Sequence, residues 1–510
     1  MNAADAVLGR GRERAGDDTV AIIESRRSVT YRQLDSLVNR YGNAMRAAGV
    51  RRENRVLFLL DDGADLVAAY LAAIRIGAVA VAFNLRASAA DLKHAIEETR
   101  APLLFIEADL LDVYAGIEGG LAHRPVLVCS GDVAPPNVSI DEFAAHRSDR
   151  PCAAATSADD MAFWVYSSGT TGAPKAVVHL HHDVLEADRH LVENLGVGPG
   201  DRLYCTSKIF FAYALGNILL GGLRAGATLV LQSGWPDAGR VVDIVARHRP
   251  DYFFTVPTLY RVLLASGGAT RPIFGGVRCC VSAGESLPEC VFDAWREATG
   301  VPIFEGIGTS ETLFLVIANH PCAWRAGRTG RPQRWVEARL VGDEDQVIEE
   351  PGAPGSLWIK AGSVADRYWN RQELSRHTFV GDWYATGDMF SFDEDGWWRY
   401  HGRRDSMLKV SGQWVSPTEI EECACTSADV SDAAVVGRPN VDGLVRATLF
   451  VVPAGAVRGE EAALTERVLA HLRERLAVYK CPRDIRVLDD LPRTASGKVQ
   501  RYVLREWAGG

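Results

Sequence analysis

Between Val56 and Phe83 the chain alternates two hydrophobic periods that few folds can satisfy. Residues 56–60 read V-L-F-L-L, residues 64–76 carry apolar side chains over a helical length, and residues 78–83 read A-V-A-V-A-F. An unbroken apolar run of five or six residues is a strand buried on both faces. A helix between two such strands is a crossover, so the strands lie parallel and the helix covers the sheet. The rhythm recurs with a helix over 91–98 and a strand over 103–106. It returns later at 203–208, at 252–260 with Pro257 near the start of a helix, and at 279–282. A chain of 510 residues built this way exceeds one simple core and divides into domains.

The flanking segments fill in the pattern. Residues 19–23 and 28–31 predict a hairpin, and 31–48 predicts a helix that stops where Gly49 can adopt a left-handed cap. Residues 130–157, rich in Ala, Pro, Ser and Asp, read as loop. The first residues lack a signal-peptide core, and the most apolar run, 66–83, is interrupted by Arg75 and Gly77, which predicts no membrane span. A net charge of −9 without a long basic run argues against nucleic acid as the main partner. Ten cysteines occur without a C-x-x-C pair, which suits a reducing, cytoplasmic setting.

Residues 161–165 and 176–178 predict two strands around a polar loop, Ser167, Ser168, Gly169, Thr170, Thr171, Gly172, Ala173, Pro174, Lys175. Glycines let backbone N–H groups converge, hydroxyls add donors and the lysine adds a cation, so such a loop can wrap a phosphate. Most Gly/Ser/Thr clusters are ordinary surface loops, and the spacing is not that of a Walker loop. The whole string S-S-G-T-T-G-A-P-K, however, closely resembles the phosphate loop of the adenylate-forming superfamily, which contains acyl-CoA ligases, luciferases and peptide-synthetase adenylation domains.

Further strings resemble that superfamily in the same order. V-S-A-G-E-S-L-P places Ala283, Gly284 and Glu285 near adenosine and acid; E-G-I-G-T-S-E places Gly306, Ile307 and Gly308 by the adenine, Thr309 by the α-phosphate and Glu311 on Mg²⁺. Thr170 joins Glu311 as an implied metal contact. T-G-D implies that Asp388 binds the ribose hydroxyls; G-R-R-D implies Arg403 as a ribose or phosphate contact and Asp405 as an interdomain hinge, although Ser406 stands where a second Asp is usual. P-R-T-A-S-G-K implies Lys498 as the lysine that binds carboxylate and bridging oxygens. The implied catalytic set is Lys498, Thr170, Glu311 and Asp405.

The segment K-I-F-F-A-Y-A-L-G-N is nearer the benzoate-CoA ligases than other branches. It implies a pocket of Phe211, Ala212, Tyr213, Ala214, Gly216, Ala283, Gly308 and Phe314. No acidic residue stands in that segment to pair a substrate ammonium, so a neutral planar acid fits better than an α-amino acid. The benzoate branch usually has His at Phe314, Met at Thr312, and Gly at Ala214 and Ala176; these departures point to an aryl or similarly flat acid other than benzoate. The resemblance implies an α/β fold. Residues 1–404 form a large N-terminal domain of two α/β subdomains plus a small β-barrel-like one, and residues 405–510 a small mobile α+β lid. ATP, Mg²⁺ and coenzyme A are the implied cofactors. Lys409, Ser411, Gly412 and Trp414 would line the thiol channel, with Lys480 and Arg483 as candidate cations for coenzyme A. The acyl acceptor is coenzyme A or the phosphopantetheine of a separate carrier protein, and a homodimer is allowed.

Overall fold

The computed structural model describes the chain except residues 26, 132, 134–137, 168–173, 411–412, 440–444, 456–459, 494–498 and 510, and the side chains of 409, 413, 414, 439, 445 and 509. Thr170, Ser411, Gly412 and Lys498 thus lie outside the described residues, as do Ser168, Gly169, Thr171 and Gly172. The side chains of Lys409 and Trp414 do too.

Two helix-covered sheets form the bulk of the molecule, as the β-α-β rhythm requires. In the first, the strands Met161–Ser167, Val79–Ala82, Arg55–Leu59, Leu103–Glu107 and Val126–Ser130 run parallel in that spatial order. Lys175–Leu180 folds back antiparallel on Met161–Ser167, and Arg367–Tyr368 pairs antiparallel beyond it. The second sheet has Arg202–Cys205, Tyr252–Thr255, Cys279–Ser282 and Ile303–Ile307 in parallel register, with the predicted hairpin Val20–Ile23/Ser28–Thr30 at its far edge. The core sits where Ala64–Arg75, buried on every side, separates sheet from sheet. A third sheet, six-stranded and curled as a half-barrel, is antiparallel and includes Gly355–Lys360, Trp383–Phe392 and Trp398–Arg403.

Most helix boundaries follow local chemistry. Tyr31–Ala47 starts at Thr30, whose hydroxyl accepts from Gln33 N–H while the Gln33 side chain accepts from Thr30 N–H. Two expectations need correction. Residues 130–157 are not uniformly loop: Val138–Ser139 is a strand and Ile140–Ala145 a helix capped by Ser139. Burial of Ile140 and Ala144 outweighs the polar composition around them. The first residues, read only as lacking a signal core, form a helix, Ala3–Ala15, whose Ala4, Val7 and Leu8 are fully buried.

Beyond residue 405 a separate apolar cluster forms around Ile420, Val435, Leu449, Val468 and Leu472. It joins the strands Val430–Pro439, Val445–Pro453 and Asp484–Val487 to the helices Pro417–Cys425 and Glu461–Arg475. This unit touches the larger body through polar contacts: Asp432 accepts from Arg261 at 2.6 Å, and Ser286 donates to Glu422 at 2.9 Å. No helix among the described residues is long and apolar enough to cross a membrane. All ten cysteines are free. Desolvation pushes the thiols of Cys205 and Cys280 up to about 12, and raises that of Cys279 as well.

Candidate functional site

The strand Ile303–Ile307 ends in a turn that folds on its own hydroxyls. Thr309 Oγ1 accepts from the N–H groups of Glu311 (3.2 Å) and Thr312 (3.3 Å), and Thr312 Oγ1 accepts from Thr309 N–H (2.9 Å). Gly308 is obligatory for a local reason: a Cβ there would lie 2.4 Å from the Phe314 carbonyl oxygen. Its missing side chain makes room for the chain itself. Gly216 behaves alike, with Leu313 O at 2.3 Å from a built Cβ.

The turn buries the Glu311 carboxylate. Tyr368 donates to its Oε1 at 2.7 Å and Tyr384 to its Oε2 at 3.0 Å, and Lys175 Nζ stands 3.5 Å from Oε1. Burial opposes ionisation, yet the Lys175 ammonium and hydrogen bonds from Tyr368 and Thr309 hold this carboxyl below the usual range. Lys175 also lies 4.0 Å from the centre of the Tyr368 ring. The last residue of one phosphate-loop arm and the acid of the T-S-E turn are therefore neighbours, though 136 positions apart in sequence. Ser167, at the other arm, has a buried hydroxyl without a partner among the described residues.

Tyr384 and Asp388 both lie on the strand Trp383–Phe392, four residues apart, and both are buried. Asp388 Oδ1 accepts from Arg403 Nη1 at 3.2 Å, and the same nitrogen donates to Thr386 O at 2.9 Å. Burial works against the Arg403 cation, but Asp388, Tyr384, Tyr400 and Asp405 together more than offset it and the guanidinium stays charged. Gly284 takes φ +89°, which turns the chain sharply after Cys279–Ser282 and presents Glu285 to Thr258 Oγ1 (3.0 Å) and to Arg493, at 3.9 Å. Arg493, five positions before Lys498 in sequence, thus reaches Glu285 and Thr258 of the larger body.

A Mg²⁺ ion suits this chemistry. Such a cation takes oxygen ligands and needs one or two protein carboxylates when phosphates and waters fill the rest. Glu311 offers an ionised carboxylate, and its tyrosine and lysine partners show that the position accepts donors and positive charge from several directions.

Several residues implied for the acid pocket lie near one another: Phe211, Ala212 and Tyr213 are half-buried against the first core, Ala283 and Phe314 are buried in it, and Ala214 is buried too. Tyr213 turns its hydroxyl to Val281 O at 3.2 Å and its ring edge toward Phe254. Gly306 and Ile307 end their strand above this cluster. The channel residues are less gathered. Lys409 pairs with Trp414 across a two-stranded ribbon, Arg483 is exposed, and Lys480 is held by Glu419 at 2.6 and 2.7 Å. As a coenzyme A cation Lys480 would have to leave that carboxylate. Asp405 is exposed in the turn Arg404–Ser406 and accepts from Ser406 Oγ at 3.3 Å.

Tyr368 and Tyr384 were not singled out from sequence, nor was His179, whose ring bonds Ser310 O at 2.8 Å. Tyr384 sits inside the W-Y-A-T-G-D string, which offered a signal; Tyr368 reaches Glu311 only because its short strand pairs with Lys175–Leu180.

Comparison with known proteins agrees with this arrangement. Residues 10–369 match the family "AMP-binding enzyme" and residues 419–498 the "AMP-binding enzyme C-terminal domain". The chain is 47% identical to a 3-hydroxybenzoate–CoA ligase of Aromatoleum sp. (strain CIB), covering 99% of this chain and 97% of that protein. It is 46% identical to a 3-hydroxybenzoate–CoA/4-hydroxybenzoate–CoA ligase of Thauera aromatica, over 99% and 97%. Among solved structures, a benzoate CoA ligase from Burkholderia xenovorans LB400 superposes with a TM-score of 0.91 at 34% identity, covering 99% of this chain and 100% of that one. An anthranilate CoA ligase in complex with anthranoyl-AMP gives 0.93 at 33% identity, over 100% and 97%. With both family regions matched in order and full-length similarity on each side, the chain belongs to the AMP-binding enzyme family.

Proposed function

We propose that this protein is an aryl-CoA ligase that activates a planar aromatic acid, of the hydroxybenzoate kind, as its adenylate and then transfers the acyl group to coenzyme A. The observation that carries the reading is the buried Glu311 carboxylate held beside Lys175, at the junction of the phosphate-loop arms and an apolar aromatic cluster. A charged pair beside an apolar aromatic cluster suits a substrate with a carboxylate at one end and a ring at the other. The similarity to 3-hydroxybenzoate–CoA ligases supports the acid class.

Phosphoryl chemistry asks a protein for positioning and charge neutralisation. In this reading the loop from Ser167 to Lys175 holds the β- and γ-phosphates, and Asp388 with Arg403 fixes the ribose. Lys498 neutralises charge as the acid oxygen attacks the α-phosphorus and pyrophosphate leaves. Mg²⁺, held by Glu311 and the phosphates, supplies further charge neutralisation when bound. The thiol of coenzyme A then attacks the acyl carbon and AMP departs. The domain of residues 405–510 turns about Asp405 between the two steps, exchanging Lys498 for the 409–414 ribbon.

The test is a panel of benzoate, 2-aminobenzoate, 3- and 4-hydroxybenzoate and aliphatic acids, assayed for acid-dependent pyrophosphate release with and without coenzyme A. Hydroxybenzoates should give the highest kcat/KM and yield CoA thioesters. Release confined to aliphatic acids would overturn the acid class. Adenylate without a CoA thioester would redirect the acyl group to a carrier protein.

A further inference from the structure

The strand Lys175–Leu180 places Lys175, Val177 and His179 on one face. Lys175 reaches the Glu311 carboxylate, and two residues along that face His179 reaches the adjoining peptide: its Nε2 lies 2.8 Å from Ser310 O. The other ring nitrogen, Nδ1, lies 2.8 Å from Asp183 Oδ2. Both side chains are fully buried, and the imidazole stacks on Phe163 at 5.0 Å. A carbonyl and a carboxylate are acceptors, so each ring nitrogen donates. Asp183 is itself fixed, accepting from Leu180 N–H at 3.1 Å and standing 3.1 Å from His182 Nε2. The T-S-E turn belongs to the second sheet and the Lys175–Leu180 strand to the first. Two side chains of one strand therefore grip consecutive residues of a turn from another sheet.

We propose that His179, braced by Asp183, is a positioning residue for nucleotide binding: it fixes the Ser310 carbonyl and thereby the Glu311 carboxylate relative to Lys175. The proposal rests on the assignment of this site to Mg·ATP. Losing the grip leaves Glu311 with its tyrosines but frees the peptide that carries it, so Mg·ATP binding weakens while the acid pocket is untouched.

The test uses two variants of the full chain. H179L removes both bonds. D183N keeps the shape: the Asn oxygen still accepts from the Leu180 N–H and the His179 Nδ1–H, but without the carboxylate charge the brace on the ring, and with it the Nε2–H bond to Ser310 O, is weakened. Calorimetry should show the Kd for Mg·ATP raised about tenfold in both, the effect of one lost hydrogen bond. The Mg²⁺ concentration for half-maximal pyrophosphate exchange should rise in parallel, with KM for the acid and thioester formation from supplied acyl-adenylate unchanged within about twofold. A folded D183N with the Kd and Mg²⁺ dependence of the parent overturns the proposal, and it decides the matter should H179L not fold. Absence of Mg·ATP binding and of acid-dependent exchange in the parent would instead remove the functional assignment.

Discussion

Phe314 shows what one side chain does to selectivity. It is buried against the acid cluster and offers no hydrogen-bond donor where the benzoate branch usually has histidine. Ring substituents aimed at it should be apolar or absent. F314H should raise kcat/KM for an acid with a hydrogen-bonding group at that position about tenfold relative to its unsubstituted partner, the worth of one recovered bond. Equal ratios in parent and variant would place Phe314 outside the acid's reach and leave adenylation untouched. At the same scale, Gly308 and Gly216 are needed because neighbouring carbonyls occupy the space of a side chain.

At the scale of elements, the short turn Arg404–Ser406 joins the curled sheet to the last unit. If the chain pivots there, D405P should leave pyrophosphate exchange near the parent rate and slow CoA thioester formation at least tenfold, because proline fixes φ at the pivot. Parent-like ligation by D405P would remove Asp405 as the pivot. The parallel strands were legible because full burial writes unbroken apolar runs, and the phosphate-loop arms because glycine, hydroxyl and lysine cluster there. Glu311 was legible only through the resemblance of E-G-I-G-T-S-E, because a lone acid in a glycine turn is ordinarily solvated. Tyr368 was not, because a two-residue edge strand carries no period and reaches Glu311 only through pairing with Lys175–Leu180. His179 was passed over for a related reason: nothing in V-V-H-L-H-H-D marks which histidine faces Ser310. The helix Arg501–Gly509 also went unread; burial of Leu504 and Ala508 against Ala434 and Phe450 stabilises it.

Across the whole molecule, the seam between the larger body and the last unit brings two carboxylates into one field. Glu305 is buried in the middle of its strand, and burial pushes its carboxyl up to about 8, with Glu422 from the other unit adding to the effect. Burial also raises Glu422, against Arg399 and Ser286, which favour its charge. For Glu305 the folded chain retains a proton that the unfolded chain releases near the ordinary carboxylate range. Stability on this account falls as pH rises from about 4.5 toward 8 and is level above it. E305Q cannot ionise, so its unfolding free energy should decline less than the parent's between pH 5.5 and 8, by roughly 3 kcal/mol. Identical slopes would mean that Glu305 is solvated in the folded chain.

The state of the cysteines bears on what an enzyme of this kind must avoid. An acyl-adenylate is an acylating agent, and Cys205, Cys279 and Cys280 lie close enough to Tyr213 to influence its hydroxyl. A thiolate there would compete with coenzyme A and end as a dead-end acyl-enzyme. Desolvation keeps those thiols protonated, and a protonated thiol is a poor nucleophile. The same packing that makes the cavity apolar therefore also spares the protein from acylating itself, and leaves the intermediate for the thiol that arrives from outside.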